Sequence, residues 1–297
     1  MKTPNWFLKK NIIALSLLPL SILYFIVSQF VFIFRYFWQK DSKIPVICVG
    51  GLLAGGVGKT PIVQEIAKKI NAAIVMRGYR GGDEAKMLKR SRLSVITGSN
   101  RIQSIKKAKK SGFKLVVMDD GFQNPTIKKD VSILVFNSEI GIGNGFVLPA
   151  GPLREPLYAI NRADAIIITG KNPSILKRKF EKYNKPIFFA KNKTIIPKEV
   201  RKFIAFAGIG YPQKFFNSLS ISPIKTFSFP DHYNYTNNDV KKLLLLAEKN
   251  KAKLLTTEKD WVRLSSSVRK QIYFAQLETI ISPEFYFWLE QKLASKK

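Results

Sequence analysis

The longest charge-free hydrophobic pattern in the chain lies near its N-terminus. Residues 12–34 form 23 consecutive positions without a charge, preceded by Lys9 and Lys10 and followed by Arg35 and Lys40. As a helix this segment would be about 34 Å long, against a hydrocarbon core of roughly 30 Å. It ends in aromatic residues rather than at a small-residue cleavage site, which favours a retained membrane anchor. Both flanks are basic, so the pattern leaves open whether the helix spans the membrane or lies along its surface.

After Lys40 the pattern changes to short apolar runs, some separated by amphipathic stretches. The apolar runs are typical of buried strands, and residues 60–70 and 100–112 have the spacing of helices. Near-continuous apolar strands that alternate with helices predict a mainly parallel sheet covered on both faces. The predicted strands are residues 43–51, 71–79, 93–97, 114–121, 131–137, 163–170 and 185–190.

A second alternation of strands and helices begins near Lys202 and predicts a smaller α/β domain. The boundary between the two domains is expected within residues 191–200. The predicted strands of the second domain are residues 202–210, 224–229, 252–258 and 271–277, and its predicted helices are residues 237–250 and 282–294.

The sequence GGVGKT, residues 55–60, joins the first predicted strand to the first predicted helix. A strand, a glycine-rich turn and a helix in this order are the context of a phosphate-binding loop, although a purely structural turn is the alternative. Lys59 would reach the β- and γ-phosphates of a nucleotide, and the hydroxyl of Thr60 would bind Mg²⁺. Leu53 stands where the full pattern has its first glycine, so the match is incomplete by one residue. The residues predicted to contact nucleotide are Gly55, Gly56, Val57, Gly58, Lys59 and Thr60.

Two adjacent carboxylates follow the strand predicted at residues 114–121. Asp119 and Asp120 come directly after four apolar residues. Neighbouring carboxylates repel each other unless a cation neutralises them, so a Mg²⁺ site explains the pair better than a solvated turn. Together with the loop, this predicts a P-loop NTPase-like core at residues 41–195, a smaller C-terminal α/β domain at 196–297 and a membrane-anchoring helix within 1–40.

The net charge of the chain limits the classes of partner that it is expected to bind. It has 50 basic and 20 acidic residues, a net charge of +30, and a single cysteine, Cys48, so an internal disulfide is impossible. Such an excess of positive charge favours an anionic membrane, a phosphorylated substrate or nucleic acid, although a Lys-rich composition alone could explain it. With a nucleotide, Mg²⁺ and an anchor, two classes remain: a phosphotransferase that acts on a lipid, and a membrane-associated ATPase switch of the MinD/ParA type. That group has a signature Lys where this chain has Ala54, which argues against the switch.

Further motifs occur in a fixed order along the chain. They are GGVGKTP (55–61), RGYRGG (77–82), GDE (82–84), DDGFQN (119–124), GNGFVLPAGPLREP (143–156), FPDHYNYT (229–236) and TTEKD (256–260). Together they resemble the tetraacyldisaccharide 4'-kinase family, the lipid A 4'-kinases. The resemblance implies phosphorylation, by ATP with Mg²⁺, of the 4'-hydroxyl of a tetraacylated glucosamine disaccharide 1-phosphate. It also implies attachment to the cytoplasmic face of a bacterial inner membrane, with no nucleic acid as partner.

The resemblance also implies roles for individual residues. Lys59 and Thr60 match the phosphate-binding pair, and Asp119 and Asp120 match the acidic pair near the metal. Asp83 and His232 match a carboxylate and a histidine that act together as the catalytic base. Further positions that match the active site are Arg77, Tyr79, Arg101, Asn124, Arg154 and Glu155.

Taken by themselves, several of these residues have ordinary alternatives. His232 is the only histidine of the chain, and a lone histidine is more often structural than catalytic. Arg154 lies in a proline-rich loop and could bind a phosphoryl group or serve only the architecture. Asn124 stands where the family usually has a histidine, so a role that needs a cationic ring is lost or moved there. Leu53 replaces a polar residue of the family, which removes a side-chain contact to nucleotide but leaves the backbone cradle.

Overall fold

The computed structural model describes residues 4–78, 87–88 and 93–295. Contacts divide the chain into two compact units. Of the described residues, 4–78, 93–191 and 279–295 belong to the larger unit, and 192–278 with Met87 and Leu88 belong to the smaller one.

The secondary structure alternates strands with helices after an all-helical N-terminal segment. The described α-helices, in chain order, are α1 Ile12–Ser16, α2 Leu18–Tyr36, α3 Lys59–Lys69, α4 Arg101–Lys110, α5 Ser174–Glu181, α6 Pro212–Phe216, α7 Asn237–Lys249, α8 Glu258–Trp261, α9 Ser266–Arg269 and α10 Pro283–Ala294. The strands are β1 Val46–Gly50, β2 Ala73–Met76, β3 Val95–Thr97, β4 Val116–Asp119, β5 Val131–Asn137, β6 Ala165–Thr169, β7 Ile187–Ile195, β8 Phe203–Ala207, β9 Thr226–Ser228, β10 Lys253–Thr257 and β11 Tyr273–Ile281. Among the described residues, Asn5–Phe7 and Leu157–Arg162 form short 3-10 segments.

The sheet of the larger unit is parallel, with strand order β3-β2-β4-β1-β5-β6-β7. Its central strands are fully buried, as the continuous apolar runs of the sequence predict. β1 lies between β4 and β5, and Val49 is in register with Asp119. Because parallel strands end at the same edge of a sheet, the loop after β1 and the acidic pair after β4 are neighbours.

The smaller unit has its own parallel sheet and its own core. The strand order is β11-β10-β8-β9, and hydrophobic clusters lie on both sides of β8. Helix α7 begins at a capping box in which Thr236 and Asp239 exchange hydrogen bonds, a device that stabilises a helix start by about 1 kcal/mol. The hydroxyl of Tyr233 also donates to Asp239 at 3.0 Å. Part of the FPDHYNYT motif therefore serves the local fold.

The N-terminal helix α2 exposes most of its apolar side chains. It is long and apolar enough to cross a membrane by length and composition, and Ser21 is its one buried residue. The Ser21 hydroxyl donates to the carbonyl of Val147 and accepts from the amide of Ala150, both at 2.9 Å. Farther along the helix, Phe25 packs edge-on against Tyr158. One face of α2 is therefore fixed to the larger unit, while its other faces remain uncovered.

The described fold confirms the predicted class: a P-loop-type parallel core, a smaller α/β unit and one apolar N-terminal helix. The division of the chain differs from the predicted boundaries at the C-terminus. Helix α10 belongs to the larger unit, because Phe285 is fully buried against Phe188 and because Lys292 pairs with Asp164 at 3.1 Å. The chain therefore leaves the larger unit after β7 begins and returns to it at the end of β11.

Candidate functional site

The glycine-rich loop connects β1 to α3. Gly58 is the residue before the helix and has a φ of 84°, a left-handed conformation that favours glycine. Gly55 and Gly56 are exposed, whereas the side chain of Val57 is buried. Lys59 then begins the helix, whose first N–H groups face outward from its N-terminal end. This arrangement of backbone N–H groups and helix dipole suits an anion such as a phosphate.

A second segment braces the loop. The amide of Ala54 donates to the carbonyl of Pro152, and the amide of Arg154 donates to the carbonyl of Leu52, both at 2.7 Å. Leu53 forms an isolated antiparallel bridge with Leu153, and its side chain is buried. Leu53, which departs from the sequence motif, is therefore a packing residue. Its side chain contributes to the hydrophobic core rather than to a polar contact.

Three charged side chains meet beside the loop. Lys59 Nζ lies 3.4 Å from Asp120 Oδ1, and Arg154 Nη1 lies 2.9 Å from the same oxygen and 3.1 Å from Oδ2. Asp120 has a φ of 52°, which turns the chain at the end of β4. Burial would raise the pKa of the Asp120 carboxyl, but Lys59 and Arg154 outweigh burial and hold that pKa below its usual value. The carboxylate therefore stays ionised near neutral pH, with two cations around it.

Asp119 and Arg101 lie behind this group. Asp119 is buried, and the buried guanidinium of Arg101 donates to the carbonyl of Asp119 and to that of Val75, each at 3.1 Å. Burial lowers the pKa of Arg101, and the charge of Asp119 opposes the shift. Arg101 therefore ties together the carboxyl ends of β2 and β4, and it fixes the strand end from which the acidic pair projects.

Glu155 is placed next to Arg154 but in a different environment. It is buried, and its Oε2 accepts a hydrogen bond from Arg162. The Arg162 guanidinium lies over the rings of Phe32 and Phe122, 4.5 and 4.9 Å from their centroids. The other oxygen, Oε1, has no hydrogen-bond partner among the described residues. Glu155 thus presents one unsatisfied acceptor in a buried position.

Asn124, which stands where the family usually has a histidine, stabilises a turn through its side-chain oxygen. Its Oδ1 accepts from the amide of Thr126 at 3.1 Å and from the Thr126 hydroxyl at 2.8 Å. The preceding Gln123 donates to the carbonyl of Gly51 at 3.0 Å, and its Oε1 lies 3.4 Å from Arg154 Nη1. Gln123 therefore connects the acidic turn to the loop and to Arg154. Gln123 belongs to the DDGFQN motif, but the family resemblance assigns it no role.

A cavity of about 550 Å³ adjoins these residues. One wall is the helix α2, with apolar residues such as Leu23, Val27 and Phe32. Arg154 and Glu155 also line the cavity. The lining residues are Leu20, Leu23, Tyr24, Val27, Ser28, Gln29, Val31, Phe32, Arg35, Gln123, Pro125, Pro149, Arg154 and Glu155. The residues that α2 gives to the cavity are therefore mainly apolar, and Gln123, Arg154 and Glu155 add polar groups from other segments.

The remaining predicted residues are distributed over both units. Arg77 follows β2 and is exposed. Tyr79 and Asp83 lie outside the described residues. His232 belongs to the smaller unit, where it is partly exposed and has a φ of 59°. Its Nδ1 lies 3.2 Å from Nη2 of Arg263, a residue that sequence reasoning missed although it follows the TTEKD motif by three positions.

Within the described part of the chain, no group of three or more His, Cys, Asp or Glu side chains could hold a metal by itself. A Mg²⁺ ion does not require such a group, because it commonly binds one or two carboxylates together with phosphate oxygens and water. The hydroxyl of Thr60 and the carboxylates of Asp119 and Asp120 provide oxygen donors of the kind that Mg²⁺ prefers.

Comparisons with known proteins agree with this geometry. A family model described as tetraacyldisaccharide-1-P 4'-kinase matches residues 13–294, from α1 to α10. The tetraacyldisaccharide 4'-kinase of Phenylobacterium zucineum is 39% identical, with 78% of this chain and 80% of that protein covered. The protein of the same name from Chelativorans sp. is 34% identical, and the match covers 96% of this chain and 91% of that one.

A solved structure is similar over nearly the same range. LpxK from Aquifex aeolicus, determined in complex with ATP, superposes with a TM-score of 0.77 at 26% sequence identity. The superposition covers 95% of this chain and 98% of that one. The likeness therefore extends over both units and is not confined to the glycine-rich loop.

Proposed function

The chain belongs to the tetraacyldisaccharide-1-phosphate 4'-kinase family, and from this premise we propose how its residues carry out the reaction. The activity is the transfer of a phosphoryl group from ATP to the 4'-hydroxyl of a tetraacylated glucosamine disaccharide 1-phosphate, a step of lipid A biosynthesis. This membership favours the kinase over an ATPase switch of the MinD/ParA type.

The phosphates of ATP are proposed to bind between the glycine-rich loop and the acidic turn. Lys59 and Arg154 supply two positive charges there, and both already lie within 3.4 Å of Asp120. Phosphoryl transfer develops little new covalent structure on the protein, so catalysis depends on charge and position. Thr60, Asp119 and Asp120 would hold Mg²⁺, which when bound neutralises charge on the phosphate oxygens.

The single observation that carries the lipid assignment is the position of Arg154 and Glu155. Their segment braces the phosphate loop, and their side chains also line the apolar cavity beside α2. One compartment therefore combines cationic and polar groups with a hydrophobic wall. An amphiphile with a sugar head and acyl chains matches both halves, because each part of it meets a surface of its own polarity.

Asp83 and His232 are proposed to act together as the group that accepts the proton of the 4'-hydroxyl. A sugar hydroxyl is a poor nucleophile until a positioned base receives its proton. The support for the pairing is the family motif at both positions and the defined environment of the His232 ring. Asp83 lies outside the described residues, and its role comes from the family alone.

The exposed faces of α2 are proposed to sit in the cytoplasmic leaflet of a bacterial inner membrane. Ile26, Phe30 and Ile33 are more than half exposed and lie off the cavity. The net charge of +30 supports a second, electrostatic attraction between the protein and an anionic membrane surface. The lipid substrate resides in such a membrane, so a cavity beside the anchor receives it at the headgroup level.

Replacing exposed apolar residues of α2 with polar ones should release the protein from membranes and leave the residues that line the cavity unchanged. In the triple variant Ile26→Gln, Phe30→Gln, Ile33→Gln, a loss of about 1 kcal/mol of membrane burial at each position lowers partitioning roughly a hundredfold. The measurement is co-sedimentation with vesicles of anionic lipid at high salt, where nonspecific charge attraction is screened. Truncation of residues 1–40 is a poorer test, because it also removes Ser21 and the cavity wall.

The matched control replaces three exposed apolar residues elsewhere in the chain. Ile175, Leu245 and Phe287 are exposed to a similar extent and belong to other helices. Their triple glutamine variant should sediment like the unaltered protein. Equal binding of the α2 variant and the unaltered protein at high salt would place the anchor elsewhere.

A kinase assay with purified protein tests the function itself. The reaction contains labelled ATP, Mg²⁺ and detergent-dispersed tetraacyldisaccharide 1-phosphate, and the product is a lipid with a labelled 4'-phosphate. Stable label transfer to the lipid is the expected result. ATP hydrolysis that is stimulated by DNA or by a protein partner, without a labelled lipid, would instead support the ATPase switch.

A further inference from the structure

A buried carboxylate organises the part of the smaller unit that carries His232. Asp260 is fully buried, and its Oδ1 accepts from the amide of Gly208 at 3.0 Å and from the hydroxyl of Tyr235 at 2.9 Å. The same oxygen lies 3.1 Å from Arg263 Nη1. Its Oδ2 accepts from the hydroxyl of Thr257 at 2.6 Å. We call these five residues the Asp260 cluster.

The Asp260 cluster binds both backbone polar groups of Gly208. The Gly208 N–H donates a hydrogen bond to Asp260, as described above. The Gly208 carbonyl accepts from Arg263 Nη1 at 2.9 Å and from the backbone amide of His232 at 3.1 Å. A Cβ atom on Gly208 would lie only 2.9 Å from the Tyr235 hydroxyl, so glycine allows this close packing. The backbone of His232 is thus attached to the same peptide that orients Arg263.

The Arg263 side chain connects this buried cluster to the His232 ring. Its side chain is only 5% exposed, and Nη2 lies 3.2 Å from Nδ1 of His232. A guanidinium can donate hydrogen bonds but cannot accept them, so Nδ1 must accept with its lone pair. The neutral ring then carries its hydrogen on Nε2. Nε2 is then a hydrogen-bond donor, and Asp231 Oδ1 lies 3.9 Å from it.

We propose that Arg263, anchored by Asp260, is a positioning residue that fixes the orientation and the tautomer of His232 for phosphoryl transfer. The proposal rests on the catalytic role of His232 given under the proposed function. It gives the TTEKD motif a function: its terminal aspartate holds the arginine that selects which nitrogen of the histidine bears hydrogen. Burial and the Asp260 carboxylate raise the pKa of Tyr235, so this tyrosine remains a hydrogen-bond donor to the cluster.

The single histidine of the chain makes the tautomer directly measurable. The full chain is purified in detergent without a polyhistidine tag and with ¹⁵N-labelled histidine, so that the two imidazole nitrogen signals come from His232 alone. At a pH where the ring is neutral, the Nε2–H tautomer should predominate. Predominance of the Nδ1–H tautomer in the unaltered protein would overturn the proposal.

The test variant is Arg263→Lys, which keeps a cation for the buried Asp260 but loses the planar fork that serves Gly208 and His232 together. The tautomer population should move measurably toward Nδ1–H, and kcat for lipid phosphorylation should fall about 10- to 100-fold with little change in KM for ATP. The matched control is Arg269→Lys in the same unit. Arg269 donates to the carbonyls of Trp261 and Val262 and stacks on the Trp261 ring, so its loss affects packing and not the His232 ring.

The outcomes separate this inference from the proposed function. An unchanged tautomer in Arg263→Lys, together with a loss of kcat no larger than in Arg269→Lys, would show that Arg263 is only structural. A His232→Ala variant with wild-type lipid phosphorylation would overturn the catalytic role of His232 and, with it, the positioning role. The inference stands if His232→Ala is strongly impaired and Arg263→Lys alone changes both the ring and kcat.

Discussion

Lys59→Ala is expected to lose most lipid phosphorylation, by about two to three orders of magnitude in kcat. Lys59 begins α3 beside the glycine-rich loop, and it is one of two cations that contact Asp120. Loss of one preorganised positive charge that stabilises the transferred phosphoryl group costs roughly 3–4 kcal/mol of transition-state stabilisation. The measurement is the initial rate of label transfer from ATP to lipid at saturating substrate.

The fold should survive this change, because Lys59 lies at a helix end and Arg154 still compensates the charge of Asp120. Lys68→Ala is the matched control: it removes an exposed lysine from the same helix and should leave the rate unchanged. Near-normal turnover of Lys59→Ala, in a protein with an unaltered unfolding transition, would mean that the loop does not hold the transferred phosphate.

The second large effect is expected at Asp83 and His232. If these residues act as one unit, each alanine variant should lower kcat about 10²- to 10⁴-fold, while KM for ATP changes little. The double variant should be scarcely slower than the worse single variant, because residues that work together are non-additive. The measurement is a double-mutant cycle of kcat with the lipid acceptor.

Glu181→Ala provides the control for that cycle, since it removes an exposed carboxylate from α5, far along the chain from either motif. It should leave kcat unchanged, alone or combined with His232→Ala. Two single losses that multiply in the Asp83/His232 double variant would contradict the dyad. A loss confined to Asp83→Ala would leave Asp83 as the sole base.

The sequence predicted the core elements well because buried parallel strands leave a strong pattern. β5 coincides with its predicted range at residues 131–137, and the helix predicted at 60–70 is α3 at Lys59–Lys69. Such strands are apolar on both faces, and their turns carry the glycines and acidic residues that define a phosphate site. The position of the loop next to Asp119 and Asp120 follows from the parallel order and could be anticipated.

Contacts between distant segments left no comparable pattern. The return of α10 to the larger unit depends on Phe285 packing against Phe188, and aromatic residues occur throughout the chain. The bond between Arg263 and His232 joins residues 31 positions apart through a side-chain fork, which no periodicity encodes. Leu53 departs from the sequence motif, but only the fold shows that its side chain is part of the hydrophobic core.

The two hydrogen bonds of Ser21 bear on whether another hydrophobic helix could replace α2. The Ser21 hydroxyl joins α2 to both Val147 and Ala150, at one end of the segment that continues to Arg154. An unrelated transmembrane segment grafted in place of α2 would restore attachment to a bilayer, but it would not rebuild the wall that α2 gives to the cavity. Under the proposed function, membrane attachment and acceptor binding therefore depend on two faces of the same helix.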